Sequence, residues 1–135
     1  MKTNKRTVFV VENNKLERNL IRDFFKGNQK YDFRYFTSSA DCFSALHEHP
    51  MAVLIDYDLR TINASESDGI KILDKIKELE HNTEVVFYSH HENTEVAVAT
   101  IKHGAFDYIV LNEFHFYRLE NELQTIEAHI FHKKQ

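Results

Sequence analysis

Short apolar runs alternate along this chain with stretches in which apolar residues recur every three or four positions. Thr7 to Val11 is a run of β-branched and apolar residues, the pattern of a strand covered on both faces. Asn14 to Glu17 reads as a capping-box-like start, and the recurrence of Leu16, Leu20 and Phe24 predicts a helix stopped at Gly27. Tyr31 to Phe36, with Asp32 and Arg34 between aromatics, suits an edge strand. Ser39 can cap a second helix with Ala40, Phe43 and Leu46 on its apolar face, and Pro50 breaks the chain. Ala52 to Ile55 predicts a third strand closed by Asp56, followed by a polar loop from Thr61 to Asp68. Ile72, Leu73, Ile76 and Leu79 mark a third helix, and Glu84 to Tyr88 a fourth strand. Asn93 can cap a fourth helix with Ala97, Val98 and Ile101 inward, ended by Gly104. Phe106 to Leu111 reads as a fifth strand, and Leu119, Leu123, Ile126 and Ile130 stripe a last helix from about Phe116 to Phe131. Five strands alternating with five helices predict an α/β domain: a doubly wound five-stranded parallel sheet with helices on both faces. Such a sheet places its site at the carboxyl ends of the strands, near the switch in strand order.

Composition narrows the classes. At 135 residues and 42% apolar content, the chain suits one domain, taken as 1–135, with one compact core. A formal net charge of -4 repels phosphate backbones, so direct nucleic-acid binding is not expected. The single cysteine, Cys42, excludes an internal disulfide and fits a reducing compartment. The apolar run Val8 to Val11 is too short for a membrane span or a signal-peptide core, so a cytoplasmic protein without membrane contact is expected.

The strand ends carry the chemistry. They present Glu12-Asn13-Asn14, Asp56-Tyr57-Asp58, Ser89-His90-His91 and Leu111-Asn112. Carboxylates converging from two strands, with no lysine closing any of these strands, repel one another unless a hard cation joins them. The pattern points to a Mg²⁺-assisted site in which Asp56 is a nucleophile toward phosphoryl groups. The plainer reading of Asp56 is a cap on the following loop, of Glu12 a solvated acid, and of Ser89 a turn former.

The sequence resembles the response-regulator receiver domain over roughly residues 7 to 125. The resemblance lies in the acidic cluster at Val10-Val11-Glu12-Asn13-Asn14, the phosphoacceptor strand Val53-Leu54-Ile55-Asp56, and Asp68-Gly69 opening the third helix. It continues in Phe87-Tyr88-Ser89, a strand ending in a switch hydroxyl, and in Gly104 to Val110 before the family's Lys-Pro. It implies a flavodoxin-like strand order 2-1-3-4-5 and a role in two-component phosphorelay signalling. Asp56 would accept a phosphoryl group from a histidine kinase or phosphotransfer protein, and the change would regulate a downstream protein target. Glu12, Asn13, Asp56 and the backbone of Asp58 would hold Mg²⁺. Ser89 would bond the phosphoryl oxygen, and Tyr108 would change rotamer with it. Two positions depart from the family. Asn13 stands for an acid, so Mg²⁺ binding is expected to be weak, and Leu111 stands for the lysine that pairs with the phosphoryl charge. Asn112 replaces the proline, so the Leu111–Asn112 peptide is expected to be trans.

Two receiver readings therefore compete: a phosphoryl-accepting switch, placed first because the nucleophile remains, and a degenerate receiver that binds partners without phosphorylation. An enzyme is not expected. Asp56-x-Asp58 resembles the nucleophile motif of haloacid-dehalogenase-type phosphatases, but Arg60 stands where that family wants Thr or Val and no later acidic pair follows. A flavodoxin-type flavin site lacks its phosphate cradle after the first strand. His129 and His132 share a helix face without a third ligand, while His90 lies near the site, where its charge can tune it. The face of the fourth helix, fifth strand and last helix is the expected surface for homodimerisation or target docking. Lys102, Asp107, Arg118, Phe114, Phe116 and Tyr117 are assigned to it.

Overall fold

The computed structural model describes residues 5–58, 66–112 and 116–133, without the side chains of 66–68 and 133. The expected loop residues 61–65, together with Arg60 and Phe114, lie outside the described residues. The strands are β1 (Arg6–Val11), β2 (Tyr31–Phe36), β3 (Ala52–Asp56), β4 (Glu84–Ser89) and β5 (Asp107–Val110). The helices are α1 (Lys15–Phe25), α2 (Ser39–Ala45), α3 (Glu66–Leu79), α4 (Thr94–Lys102) and α5 (Tyr117–Lys133), with a 3-10 turn at Leu46–Glu48. All strand pairings are parallel, in the expected order β2-β1-β3-β4-β5.

Side chains alternate across a parallel sheet, and this alternation sorts the core into two layers. Val8, Val10, Leu54, Val86, Tyr88, Ile109 and Leu111 face α1 and α5, where they meet Ile21, Phe25, Leu119, Leu123 and Ile126. Phe9, Val11, Val53, Ile55, Val85 and Phe87 face the other way, onto Cys42, Ala45, Ile72, Leu73, Ile76 and Val96 of α2, α3 and α4. The central strands β1 and β3 are closed to solvent from Val8 and Ala52 onward. Burial of each such Val, Leu or Ile stabilises the fold by about 1.5–3 kcal/mol before entropy is counted.

Three helix faces differ from the expected ones. In α1 the buried residues are Glu17, Ile21 and Phe25, whereas Leu16 is 65% exposed and Phe24 40% exposed. The true stripe has the same four-residue spacing, moved on by one residue. In α2 the cap is Ser38, whose side chain accepts from the Asp41 amide, and Cys42, Ala45 and Leu46 go inward. In α4 Asn93 caps as expected, but Val96 and Thr100 are buried while Val98 and Ile101 are each 48% exposed. Phe116 is buried in the α1–α5 layer and so leaves the surface assigned to it, and Leu79 is largely exposed. The helix α3 begins at Glu66, before the expected end of the loop at Asp68. No cis peptide occurs among the described residues, so Leu111–Asn112 is trans.

Candidate phosphoacceptor site

The sheet places its acids by register. Asp56 pairs with Tyr88 across β3 and β4, and Val11 pairs with Ile55 across β1 and β3, so Glu12 emerges beside Asp56 at the switch between β1 and β3. By alternation Glu12, Asp56, Tyr88 and His90 fall on the α1–α5 side of the sheet, whereas Ser89 and Tyr108 fall on the other. The ladder runs past the strand ends: the Tyr57 amide donates to the Tyr88 carbonyl at 2.7 Å and the Leu111 amide to the Ser89 carbonyl at 2.8 Å. These bonds fix the loops that carry the site.

Glu12 and Asp56 are both fully buried. Glu12 accepts from the Tyr88 hydroxyl at 2.7 Å through Oε1 and from the Asn14 amide at 3.0 Å through Oε2. Asp56 accepts from the Asp58 amide at 2.9 Å. Burial, then the neighbouring charge of Glu12, push the Asp56 carboxyl up to about 9, and burial raises Glu12 as well. Two carboxyls this close and this dry hold one proton between them when no cation is present. Oxygens of Glu12, Glu17 and Asp56 lie within 4.8 Å of one another. A hard cation with oxygen ligands fits such a donor set.

Glu17 enters the site for a local reason. Asn14 caps α1 by accepting from the Glu17 amide at 2.9 Å. In a capping box the glutamate would reach back to the cap amide. Here Glu12 takes that amide, so the Glu17 side chain is free to point inward, where its carboxylate meets His90 Nε2. The other ring nitrogen of His90, Nδ1, lies 3.2 Å from the Leu111 carbonyl oxygen. Burial of the ring works against its charge, but the hydrogen bond and charge of Glu17 outweigh it, and the imidazole pKa rises above its ordinary value.

The remaining positions are arranged as follows. Asn13 is exposed, and its side-chain amide donates to the Thr37 carbonyl at 3.4 Å. Arg18 donates to the Glu12 carbonyl at 3.0 Å, closing the loop from outside. The Ser89 hydroxyl donates to Asp58 Oδ1 at 2.8 Å and accepts from the His91 amide at 2.9 Å. Tyr108 is half-buried, its hydroxyl 3.4 Å from the His91 carbonyl and its ring edge-on to Tyr57 at 5.6 Å. Leu111 is buried among the α1–α5 core residues. Sequence reasoning placed Glu12, Asp56, Asp58 and Ser89 at adjoining strand ends, where they lie. It missed Tyr88, which reads as an ordinary strand aromatic, and Glu17, which reads as a capping-box residue.

Comparison with known proteins agrees with this geometry. The family model described as the response regulator receiver domain matches residues 8–123. An NtrX-like response regulator from Rickettsia felis is 35% identical over 103 residues, 76% of this chain and 21% of that protein. The chain thus spans about a fifth of the length of this relative. Among solved structures, the signal receiver domain of a LuxO repressor protein from Vibrio parahaemolyticus superposes with a TM-score of 0.76 at 20% identity, covering 94% of this chain and 96% of that one. NtrX from Brucella abortus, solved in complex with ADP, gives a TM-score of 0.72 at 23% identity over 96% of this chain and 29% of that one.

Proposed function

The chain belongs to the response-regulator receiver family, and from that premise we propose that it accepts a phosphoryl group on Asp56 from a histidine kinase or phosphotransfer protein. The observation that carries this reading is the buried Asp56 carboxyl held against Glu12 at the β1–β3 switch. In the transfer an Asp56 oxygen forms a bond to phosphorus as the donor's phosphorus–nitrogen bond breaks, and the electron pair stays with the leaving imidazole, which takes up a proton. Asp56 must be ionised to attack, and the proton shared with Glu12 holds it back. Mg²⁺, bound through Glu12, Asp56 and the Asp58 backbone with Asn13 at the rim, would supply the positive charge that lowers both carboxyl pKa values and shields the incoming phosphoryl oxygens. With no carboxylate at Asn13, that binding is weak. Ser89 is placed to release Asp58 and bond a phosphoryl oxygen, and Tyr108 to follow it.

In this reading the domain acts as a switch rather than as a catalyst, and its output passes to a downstream protein through protein contacts. Among the described residues no helix is long and apolar enough to cross a membrane. The second reading, a degenerate receiver that docks partners without phosphorylation, is favoured by one observation: Leu111 is buried in the core and offers no charge to a phosphoryl group. Intact-mass measurement after incubation with acetyl phosphate and Mg²⁺ decides between them. The expected result is one added phosphoryl group on the wild type and none on Asp56→Asn. No addition to the wild type leaves the degenerate reading, and addition that survives Asp56→Asn overturns the assignment of the acceptor.

A further inference from the structure

The phosphoryl chemistry above makes no use of the Tyr88 hydroxyl, yet that hydroxyl bonds the acid beside Asp56. It donates to Glu12 Oε1 at 2.7 Å, while the Asn14 amide donates to Glu12 Oε2 at 3.0 Å. Tyr88 and Glu12 are both fully buried. In the ladder Tyr88 stands opposite Asp56, and its ring belongs to the core layer that holds Leu54, Val86, Ile109 and Leu119. A ring packed in this way cannot follow a carboxylate that moves, so its hydroxyl is a fixed point for Glu12. Each carboxylate oxygen has two lone-pair directions, and each Glu12 oxygen gives one to its hydrogen bond. The other directions can meet Asp56 or a cation held between the two acids. Asn13, the next position of the expected cation set, is exposed and turned to the Thr37 carbonyl. The orientation of Glu12 therefore weighs more here than in a site with two loop acids. A phenylalanine would fill the same core space, so only the hydroxyl distinguishes a role at the site from plain packing.

We propose that Tyr88 is a positioning residue for Mg²⁺: its hydroxyl holds Glu12 in the orientation that binds the cation together with Asp56. The inference rests on the phosphoacceptor reading and adds to that site a residue that acts through Glu12 without touching the metal. Hydrogen bonds behind a ligating carboxylate change metal affinity by about 10–100-fold. Without the Tyr88 donor, Oε1 loses its anchor and the carboxylate turns about its last bond, whose rotation is soft. Each cation bound must then order Glu12 again, at a cost in affinity.

The test is titration with Mg²⁺ by calorimetry and with Mn²⁺ by electron paramagnetic resonance, with thermal melts in EDTA on every variant. Tyr88→Phe keeps the ring and removes the donor, and it is expected to weaken both ions about tenfold. A double-mutant cycle then asks whether the effect passes through Glu12. It is run in the Asn13→Asp background, whose added carboxylate keeps binding measurable. Once Glu12→Ala is in place, Tyr88→Phe is expected to change Mn²⁺ affinity by less than about twofold. A Tyr88→Phe variant that melts lower but binds Mg²⁺ as tightly as wild type, or more tightly, overturns the proposal and leaves Tyr88 a core filler. So does an equal loss with and without Glu12. Should Tyr88→Phe fail to fold, Tyr88→Met, apolar and without a donor, carries the same comparison. A wild type that binds neither ion overturns the phosphoacceptor reading and this inference with it, a result distinct from a wild type that binds both and an unchanged Tyr88→Phe.

Discussion

Asp56 holds its place at a cost to stability that depends on pH. Its carboxyl is pushed up to about 9 from an ordinary 3.8 by burial and then by Glu12. A raised folded-state value means that the folded chain binds this proton more tightly than the unfolded chain does. Stability is therefore greatest below the unfolded value, falls as pH rises from about 4, and levels off above about 9. Asparagine at this position keeps an acceptor for the Asp58 amide, offers Glu12 a donor and never ionises. Asp56→Asn is expected to stabilise the domain in EDTA by about 2 kcal/mol at pH 8, roughly 6–10 °C in Tm. The gain should shrink toward zero near pH 4. Melts followed by circular dichroism across that range check the sign, and a gain that grows toward acid pH contradicts it. At this scale the sequence singled out Asp56 and its acidic neighbour Glu12, because a carboxylate that ends a buried apolar run has few other uses. It did not show Tyr88 or Glu17, since each has an ordinary local explanation, and only the fold brings the Tyr88 hydroxyl to Glu12 and the Glu17 carboxylate to His90.

The strands were legible in the sequence because a doubly covered strand is an unbroken apolar run that no other element requires. Helix faces were less legible, and α1 shows why. Leu16-Leu20-Phe24 and Glu17-Ile21-Phe25 have identical spacing, and hydrophobicity prefers the set with Leu over the set with Glu. The fold reverses the choice because the Glu17 carboxylate finds the His90 ring as a hydrogen-bond partner beneath the helix, which offsets its desolvation. In α4 the residues that look apolar enough for the core, Val98 and Ile101, stay half-exposed, while Thr100 goes inward with its hydroxyl donating to the Ala97 carbonyl at 3.0 Å. The start of α3 shows a tighter constraint. A Cβ on Gly69 would lie 2.3 Å from the ring of Tyr57, far inside contact distance. That ring is itself held edge-on by Phe87 at 5.1 Å and by Tyr108 at 5.6 Å, so it has little room to yield. Gly69→Ala is expected to destabilise the domain by about 1–3 kcal/mol and to displace Tyr108. Urea denaturation gives the first quantity, and tyrosine ring signals in NMR report the second. Wild-type stability with Tyr108 unmoved would show that α3 slides freely over Tyr57.

Across the whole molecule, the half-exposed apolar residues of α4 meet β5 to form a groove. Its volume is about 400 Å³, and Ala97, Val98, Ile101, Tyr108 and Val110 line it with Lys102 at its edge. On the neighbouring α5, Tyr117 is 53% exposed, and Arg118 donates to the Val110 carbonyl at 2.6 Å, joining the helix to the strand. This is the face assigned from the sequence to dimerisation or target docking, and the outward turn of Val98 and Ile101 gives it more apolar area than the expected helix face would have left. We propose that it mediates homodimers. An acidic residue in the centre of such a patch must be desolvated without a partner, so Ile101→Asp should weaken self-association at least tenfold with little change in monomer stability. Sedimentation velocity over a concentration series measures this, and unchanged association of the variant removes the face from consideration. The response to phosphorylation is a separate matter. Leu111 is buried in the core and carries no charge to pull the β5–α5 connection toward Asp56. Binding of the phosphoryl group and its report to the dimer face are thus separable. Beryllofluoride with Mg²⁺ is expected to bind and yet shift the dimerisation constant by less than about threefold. A tenfold shift in the wild type would mean that Ser89 and Tyr108 transmit the signal without a lysine, and the degenerate reading would then be excluded.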